Sequence, residues 1–109
     1  MISSKLLKFP NIETAFAHCD VPCGIYDPHL AQVAALTTMR MIQLIEATEA
    51  PSSDAERTNY VSQISRYVST KEEHAELCKK EIRILWADYF RPEHVEKYPK
   101  LHDTVFNAL

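Results

Sequence analysis

Residues 27–49, DPHLAQVAALTTMRMIQLIEATE, decide the fold class, because they join a helix start to a long helical pattern. Asp27 supplies a side-chain acceptor for a helix N-terminus, and Pro28 suits the first helical position. The apolar residues that follow recur on roughly one face of a helix. They are Leu30, Val33, Met41, Leu44, Ile45 and Thr48. The segment therefore predicts a helix that packs this face against the rest of the domain.

The chain beyond this helix repeats the same kind of pattern. Pro51 breaks the first helix, and Ser53 with Glu56 has the spacing of a capping box. A second capping box, from Thr70 to Glu73, predicts that the second helix ends near residue 69 and that a third begins near residue 71. Pro92 and Pro99 each interrupt the helical pattern, so we predict only a short helix after the second of them.

The fold class predicted from these patterns is all-α. No segment alternates as a half-buried strand does, and the chain has a single glycine. We expect an antiparallel helix bundle, with three long helices plus a short C-terminal helix and an N-terminal metal-binding hook. The expected divisions are a leader over residues 1–17, the hook over 18–26 and the bundle over 27–109.

Composition narrows the partners. The net charge is −3 and Lys and Arg form no run, so nucleic acid is not expected as a partner. No apolar stretch approaches the roughly 20 residues that a membrane span needs. One domain of 109 residues buries a modest core, so a homo-oligomer would help its stability.

Residues 18–28, HCDVPCGIYDP, carry the chemistry of the chain. Two thiols four residues apart, an adjoining imidazole, a proline between the thiols and the glycine directly after them describe a tight metal-binding hook. These residues are His18, Cys19, Pro22, Cys23 and Gly24. Soft thiolates with nitrogen donors suit nickel, copper or zinc rather than magnesium or calcium. The third cysteine, Cys78, falls in a helical pattern and is predicted as a small buried residue rather than a ligand.

Residues 1–17, MISSKLLKFPNIETAFA, look separable from the rest. Ala15 and Ala17 form a small-x-small pattern of the kind that precedes a processing site, whereas the apolar part is too short and broken for a secretory signal. We expect a leader removed by a processing protease in a cytoplasmic protein. The alternative is an N-terminal arm that is not processed. Cleavage after Ala17 would give His18 a free amine beside its imidazole.

The hook resembles the N-terminus of the nickel superoxide dismutase family. Members begin, after processing, with His-Cys-Asp-x-Pro-Cys-Gly-x-Tyr-Asp-Pro, and residues 18–28 match every fixed position. Later segments are also similar to the family, among them Leu85-Trp86, Asp88-Tyr89-Phe90 and Lys97-Tyr98-Pro99. The resemblance covers most of the chain from His18 onward.

The resemblance implies an enzyme that converts superoxide to oxygen and hydrogen peroxide by cycling Ni(II) and Ni(III). It implies thiolate ligands from Cys19 and Cys23, with the Cys19 backbone amide and the His18 amine completing a near-planar site. The His18 imidazole would bind on the axis. Family members assemble as hexamers, and we expect a homo-oligomer here, either a hexamer or a smaller assembly.

Supporting roles also follow from the resemblance. Pro22 and Gly24 would shape the hook, and Asp20 would stabilise its loop. Tyr26 would stand over the open face of the metal, and Tyr89 would lie near it. Ordinary aromatic packing is the alternative for both tyrosines.

Two positions depart from the family pattern. The glutamate that orients the axial imidazole falls on Ala34 in this chain, and the arginine that backs it falls on His74. Without such partners the imidazole would bind less firmly. His74 is a candidate substitute. The chain also stops at Leu109, before the family's usual final helix.

Two other kinds of function compete with the enzyme. A metal-binding or metal-delivery module could hold zinc or copper through the same thiols without turnover, and it would need no cleavage. A helical interaction protein could keep the hook as a relic. The full motif, including Asp20, Gly24, Tyr26 and Pro28, favours the enzyme over both.

Overall fold

The computed structural model describes residues 23–109. This part of the chain forms four α-helices and no strand, which confirms the all-α prediction. In chain order the helices are α1 (His29–Ala47), α2 (Asp54–Ile84), α3 (Pro92–Lys97) and α4 (Leu101–Ala108). A π-helical segment, Leu85–Tyr89, continues α2 at its C-terminal end.

The start of α1 follows the predicted chemistry with a shift of one residue. The Asp27 Oδ1 accepts a hydrogen bond of 2.8 Å from the backbone N–H of His29. Pro28 is the capping residue, and its carbonyl accepts from the N–H of Gln32 at 3.0 Å. The helix therefore begins at His29 rather than at the proline, and Asp27 holds the chain where it turns from the hook into α1.

The predicted break between a second and a third helix is wrong. Helix α2 runs for 31 residues without interruption, so the described part of the chain has two long helices rather than three. No glycine or proline lies between residues 54 and 84, and the apolar pattern continues through the proposed boundary. A Ser/Thr-x-x-Glu spacing also occurs inside helices. In α2 the Glu73 carboxylate instead accepts a hydrogen bond of 3.4 Å from the Ser69 hydroxyl, four residues earlier.

The first predicted capping box is displaced. Ser53 caps α2 through its extended backbone, but its side chain makes no capping hydrogen bond. The Ser52 N–H and hydroxyl instead donate to the Glu56 Oε2 at 3.0 and 2.9 Å. The carboxylate reaches back one residue further than predicted, and it closes the turn between α1 and α2.

The buried face of α1 differs from the predicted face at its N-terminal end and agrees with it further on, where the predicted residues within 41–48 are half-buried. Ala31 and Ala34 are 8% and 0% exposed, whereas Leu30 and Val33 remain 56% and 45% exposed. Small side chains let two helix backbones approach closely, so the alanines set the contact and the larger residues turn aside. Besides these alanines, Val105 of α4 is the one other buried apolar residue in the part described.

The two long helices form an antiparallel hairpin whose side surfaces are largely exposed to solvent. Among residues 23–109 no helix is long and apolar enough to cross a membrane.

Candidate metal centre

The C-terminal half of the hook presents one free thiol. Cys23 is exposed and forms no disulfide. Gly24, which follows it, has a φ of +83°, in the left-handed region that side chains disfavour. No neighbouring atom lies within 4 Å of the position a Cβ would take there. The glycine is therefore needed for its backbone conformation, which turns the chain directly after the thiol.

The other predicted ligands, His18 and Cys19, lie outside the described residues, as do Asp20 and Pro22. Within residues 23–109 no group of three or more His, Cys, Asp or Glu side chains could hold a metal ion. Cys23 alone cannot bind a metal firmly, so a centre at this end needs further donors, and the sequence predicts them at His18 and Cys19. The Cys23 thiol is exposed, forms no disulfide and precedes the turn at Gly24. These features agree with the thiolate ligand that the sequence predicts at this position.

Tyr26 is held beside this thiol. Its side chain is half-buried, and its hydroxyl lies 4.0 Å from the Cys23 Sγ. A hydrogen bond with the Gly24 backbone lowers the pKa of Tyr26, but partial burial, the Cys23 thiol and the Asp88 carboxylate together outweigh it. The pKa is therefore raised above its ordinary value of 10.0. A phenol of ordinary pKa is already protonated at neutral pH, and this shift acts in the same direction, so the hydroxyl keeps a hydrogen to donate.

The π-helical segment brings Tyr89 to the same place. The rings of Tyr26 and Tyr89 lie 5.7 Å apart at 47°, a distance at which tilted aromatic pairs attract. Residue 89 is distant from the hook in sequence, and only the length of α2 and the extra residue of the π-helical turn aim its ring there. Tyr89 is thus next to Tyr26, while its role in chemistry stays a prediction.

Sequence reasoning missed two neighbours of this tyrosine pair. His94 stacks on Tyr89 with centroids 5.4 Å apart, and its Nδ1 accepts a hydrogen bond of 2.8 Å from the backbone N–H of Arg91. Asp88 acts on Tyr26 through its charge. The density of aromatic and charged residues in the segment Asp88-Tyr89-Phe90-Arg91 was the available signal.

The two positions that depart from the family pattern have plain structural roles here. Ala34 is fully buried on the α2-facing side of α1. His74 is half-buried in α2, and its Nδ1 lies 2.9 Å from the Thr70 carbonyl. A carbonyl can only accept, so the Nδ1 carries the hydrogen and the Nε2 is left for another partner. Whether His74 serves the hook stays a prediction.

The described residues form a helical hairpin that carries a thiol-bearing hook. Comparison with known proteins agrees with this description. Residues 13–109 match the family described as nickel-containing superoxide dismutase. The superoxide dismutase [Ni] of Streptomyces coelicolor is 38% identical over 96 residues, which cover 88% of this chain and 66% of that protein. The superoxide dismutase [Ni] of Streptomyces seoulensis is 41% identical over 100 residues, covering 92% and 68% respectively.

Solved structures give the same result. A native nickel superoxide dismutase superposes with a TM-score of 0.64 at 37% identity, over 83% of this chain and 69% of that one. A nickel-containing superoxide dismutase with the nickel ligation of the oxidised state gives 0.65 at 36% identity, over 83% and 68%.

The chain belongs to the nickel-containing superoxide dismutase family. It spans about two thirds of the length of the relatives it matches. Of the hook motif, the residues from Cys23 to Pro28 lie within the described part, and they form the turn that leads into α1.

Proposed function

We propose that this chain disproportionates superoxide to oxygen and hydrogen peroxide at a nickel site built on the hook. The observation that carries the proposal is the hook itself, whose described half places a free thiol beside a protonated tyrosine hydroxyl in a member of this family. Nickel, when bound, supplies the one-electron chemistry through its Ni(II) and Ni(III) states. The other requirements of the reaction fall on groups that the chain itself supplies.

Cys23 would hold the metal together with Cys19 and the His18 nitrogens. Thiolate ligation needs the thiols to lose their protons, so loading should weaken as the pH falls. Because Cys23 is exposed, the metal and a small anion could both reach it without opening the helices.

Tyr26 would control the approach to the open side of the site. The hydroxyl is protonated at neutral pH, as a phenol ordinarily is, so it can donate a hydrogen bond to an anion or to an ordered water. The ring of Tyr89, with its centroid 5.7 Å away, packs against the Tyr26 ring. A ring held in place loses less conformational freedom when it orders a small ligand.

Processing and assembly belong to the same proposal. A protease would remove residues 1–17 in the cytoplasm, giving His18 a free amine, which can bind the metal without first losing an amide proton. The protein would act as a homo-oligomer, either the hexamer of the family or a smaller assembly.

The test compares protein that begins at His18 with the full-length chain, each loaded with the same nickel. We expect superoxide disproportionation, and the spectroscopic signature of nickel bound to thiolate and amine, in the shorter protein alone. Equal activity in both would overturn the role of the amine. Bound nickel without activity in either would favour the metal-binding module instead.

A further inference from the structure

Helix α3 begins close to the end of α2. After the π-helical segment, Phe90 and Arg91 are extended, with ψ angles of 139° and 164°, and α3 starts at Pro92. Val95 of α3 borders the same small cavity as Trp86 and Phe90. The first turn of α3 therefore lies beside the aromatic residues of the π-helical segment, where a side chain of that turn can contact them.

His94 is the side chain of this turn that contacts Tyr89. The two rings are nearly parallel, at 15°, with centroids 5.4 Å apart. The Phe90 ring meets the His94 ring close to edge-on, at 77° and 5.9 Å. Tyr89 remains 46% exposed. Its orientation therefore depends on few neighbours, and His94 is the one that stacks on its ring.

The His94 ring is itself held by the backbone. Its Nδ1 accepts a hydrogen bond of 2.8 Å from the N–H of Arg91, the capping residue of α3. A glutamate or glutamine at this third helical position makes the same bond in a capping box. Because Nδ1 accepts, the hydrogen of the neutral imidazole lies on Nε2. One side chain thus closes the start of α3 and presents a fixed ring to Tyr89.

Tyr89 connects this ring to the hook. Among residues 23–109, the aromatic ring that contacts Tyr26 is that of Tyr89, with centroids 5.7 Å apart. The Tyr26 hydroxyl in turn lies 4.0 Å from the Cys23 Sγ. A continuous series of contacts therefore leads from the first turn of α3, through two tyrosine rings, to the thiol.

We propose that His94 is a positioning residue for the hook, whose ring orients Tyr89 and, through Tyr89, the Tyr26 hydroxyl beside Cys23. His94 acts through these rings rather than by contact with the thiol. Its effect on turnover rests on the function proposed above, whereas the orientation of the rings can be measured without nickel.

The first experiment is NMR spectroscopy of the metal-free, full-length protein. His94→Gln keeps a hydrogen-bond acceptor at the third position of α3 and removes the ring. We expect nuclear Overhauser contacts between the Tyr26 and Tyr89 rings in the unchanged protein and their loss in His94→Gln, while the amides of α3 still report a helix. His94→Glu, which is also an acceptor without a ring, repeats the test.

The matched control is His102→Gln. This variant removes an imidazole that stacks on another ring, that of Phe106, at 10° with centroids 6.4 Å apart. Because His102 lies in α4 and contacts neither tyrosine of the hook end, the Tyr26–Tyr89 contacts should persist in this variant.

The second experiment measures superoxide disproportionation by nickel-loaded protein that begins at His18. His94→Gln should lower kcat/KM about fivefold with nickel content unchanged, a smaller loss than that from removing a direct partner of a metal ligand. In a Tyr26→Phe background the same substitution should cause no further loss, because an effect that acts through the hydroxyl disappears with it. His102→Gln should keep full activity.

Two results would overturn the proposal. The first is a Tyr26–Tyr89 contact that is absent from the unchanged protein or that persists in His94→Gln and His94→Glu. The second is an equal loss of activity from His94→Gln with and without the Tyr26 hydroxyl, which would show that His94 acts by another route. Inactivity of every nickel-loaded protein would refute the proposed function alone, because the NMR comparison would still decide the role of His94.

Discussion

The two ends of the α1–α2 hairpin are built from different chemistry. At the hook end, Tyr26 contacts Tyr89, which is distant from it in sequence, and Tyr89 in turn stacks on His94. At the turn end, Ser52 bonds to Glu56 and Asp54 pairs with Arg57 at 3.0 Å, all within a few residues and all exposed. The turn end is fixed by local capping, whereas the hook end depends on long-range contacts.

This difference shows where substitutions should matter. Exposed local bonds contribute little, because water replaces them easily and salt screens them. Contacts that join the hook to the end of α2 determine the position of a thiol and a phenol, so small changes there should alter chemistry. The predictions that follow set matched substitutions at the hook end against equivalents elsewhere in the hairpin.

The largest expected effect is that of Cys23→Ser in nickel-loaded protein beginning at His18. Activity should fall by more than about 100-fold, beyond the 10- to 100-fold typical when a partner of a metal ligand is removed. Cys78→Ser, which changes a half-buried thiol in α2, should keep both nickel and activity. The assay is superoxide disproportionation with nickel measured on the same samples. An active Cys23→Ser protein would contradict the ligand assignment.

The next effect concerns stability. Ala34→Glu would bury a carboxylate at a position that is 0% exposed, and we expect a loss of about 2–4 kcal/mol at pH 7. Ala47→Glu, at the exposed end of α1 near the turn, should change stability by less than about 0.5 kcal/mol. Denaturant unfolding of both variants gives the comparison. Equal stability of the two would mean that a partner such as His74 satisfies the new carboxylate.

A smaller effect on activity is expected for Tyr26→Phe. Removing the hydroxyl that lies 4.0 Å from the Cys23 Sγ should lower activity about 10-fold while nickel binding persists. The matched variant is Tyr67→Phe. In the unchanged protein the Tyr67 hydroxyl accepts a hydrogen bond of 2.9 Å from the Gln63 side chain within α2. That variant should keep full activity. If both variants behave alike, Tyr26 acts through packing alone.

The pH dependence of Tyr26 provides a further prediction at the hook end. Its folded pKa is raised, so the interaction stabilises the fold below the unfolded value of 10.0 and is lost as the pH rises through the folded pKa. Absorbance titration of tyrosinate should therefore lose its highest-pH component in Tyr26→Phe. A titration curve unchanged in shape would refute the raised pKa.

The smallest effect is expected at the turn end. Hydrogen bonds from the Ser52 N–H and hydroxyl lower the pKa of Glu56 below its ordinary value of 4.5, which stabilises the fold above that value and is lost as the pH falls through the folded pKa. Ser52→Ala should raise the pKa of Glu56 part of the way back, as measured by NMR titration. Activity should not change, and a change would show that the two ends are coupled.

The sequence by itself determined the features that depend on local chemistry. Apolar spacing and the single glycine predicted an all-α chain, and Asp27 with Pro28 located the start of α1 to within one residue. The hook motif named the family. These succeed because capping, helix propensity and ligand spacing act over a few neighbouring residues.

The tertiary structure alone decided the features that depend on which surfaces meet. It joined two expected helices into α2, since a capping motif cannot end a helix whose pattern continues. In the fold, Ala31 and Ala34 are buried at the helix contact, whereas Leu30 and Val33 remain exposed. The reason is that close packing of two helix backbones favours small residues over large ones. It also brought Tyr89 to Tyr26, a contact set by the length of α2 and its π-helical end.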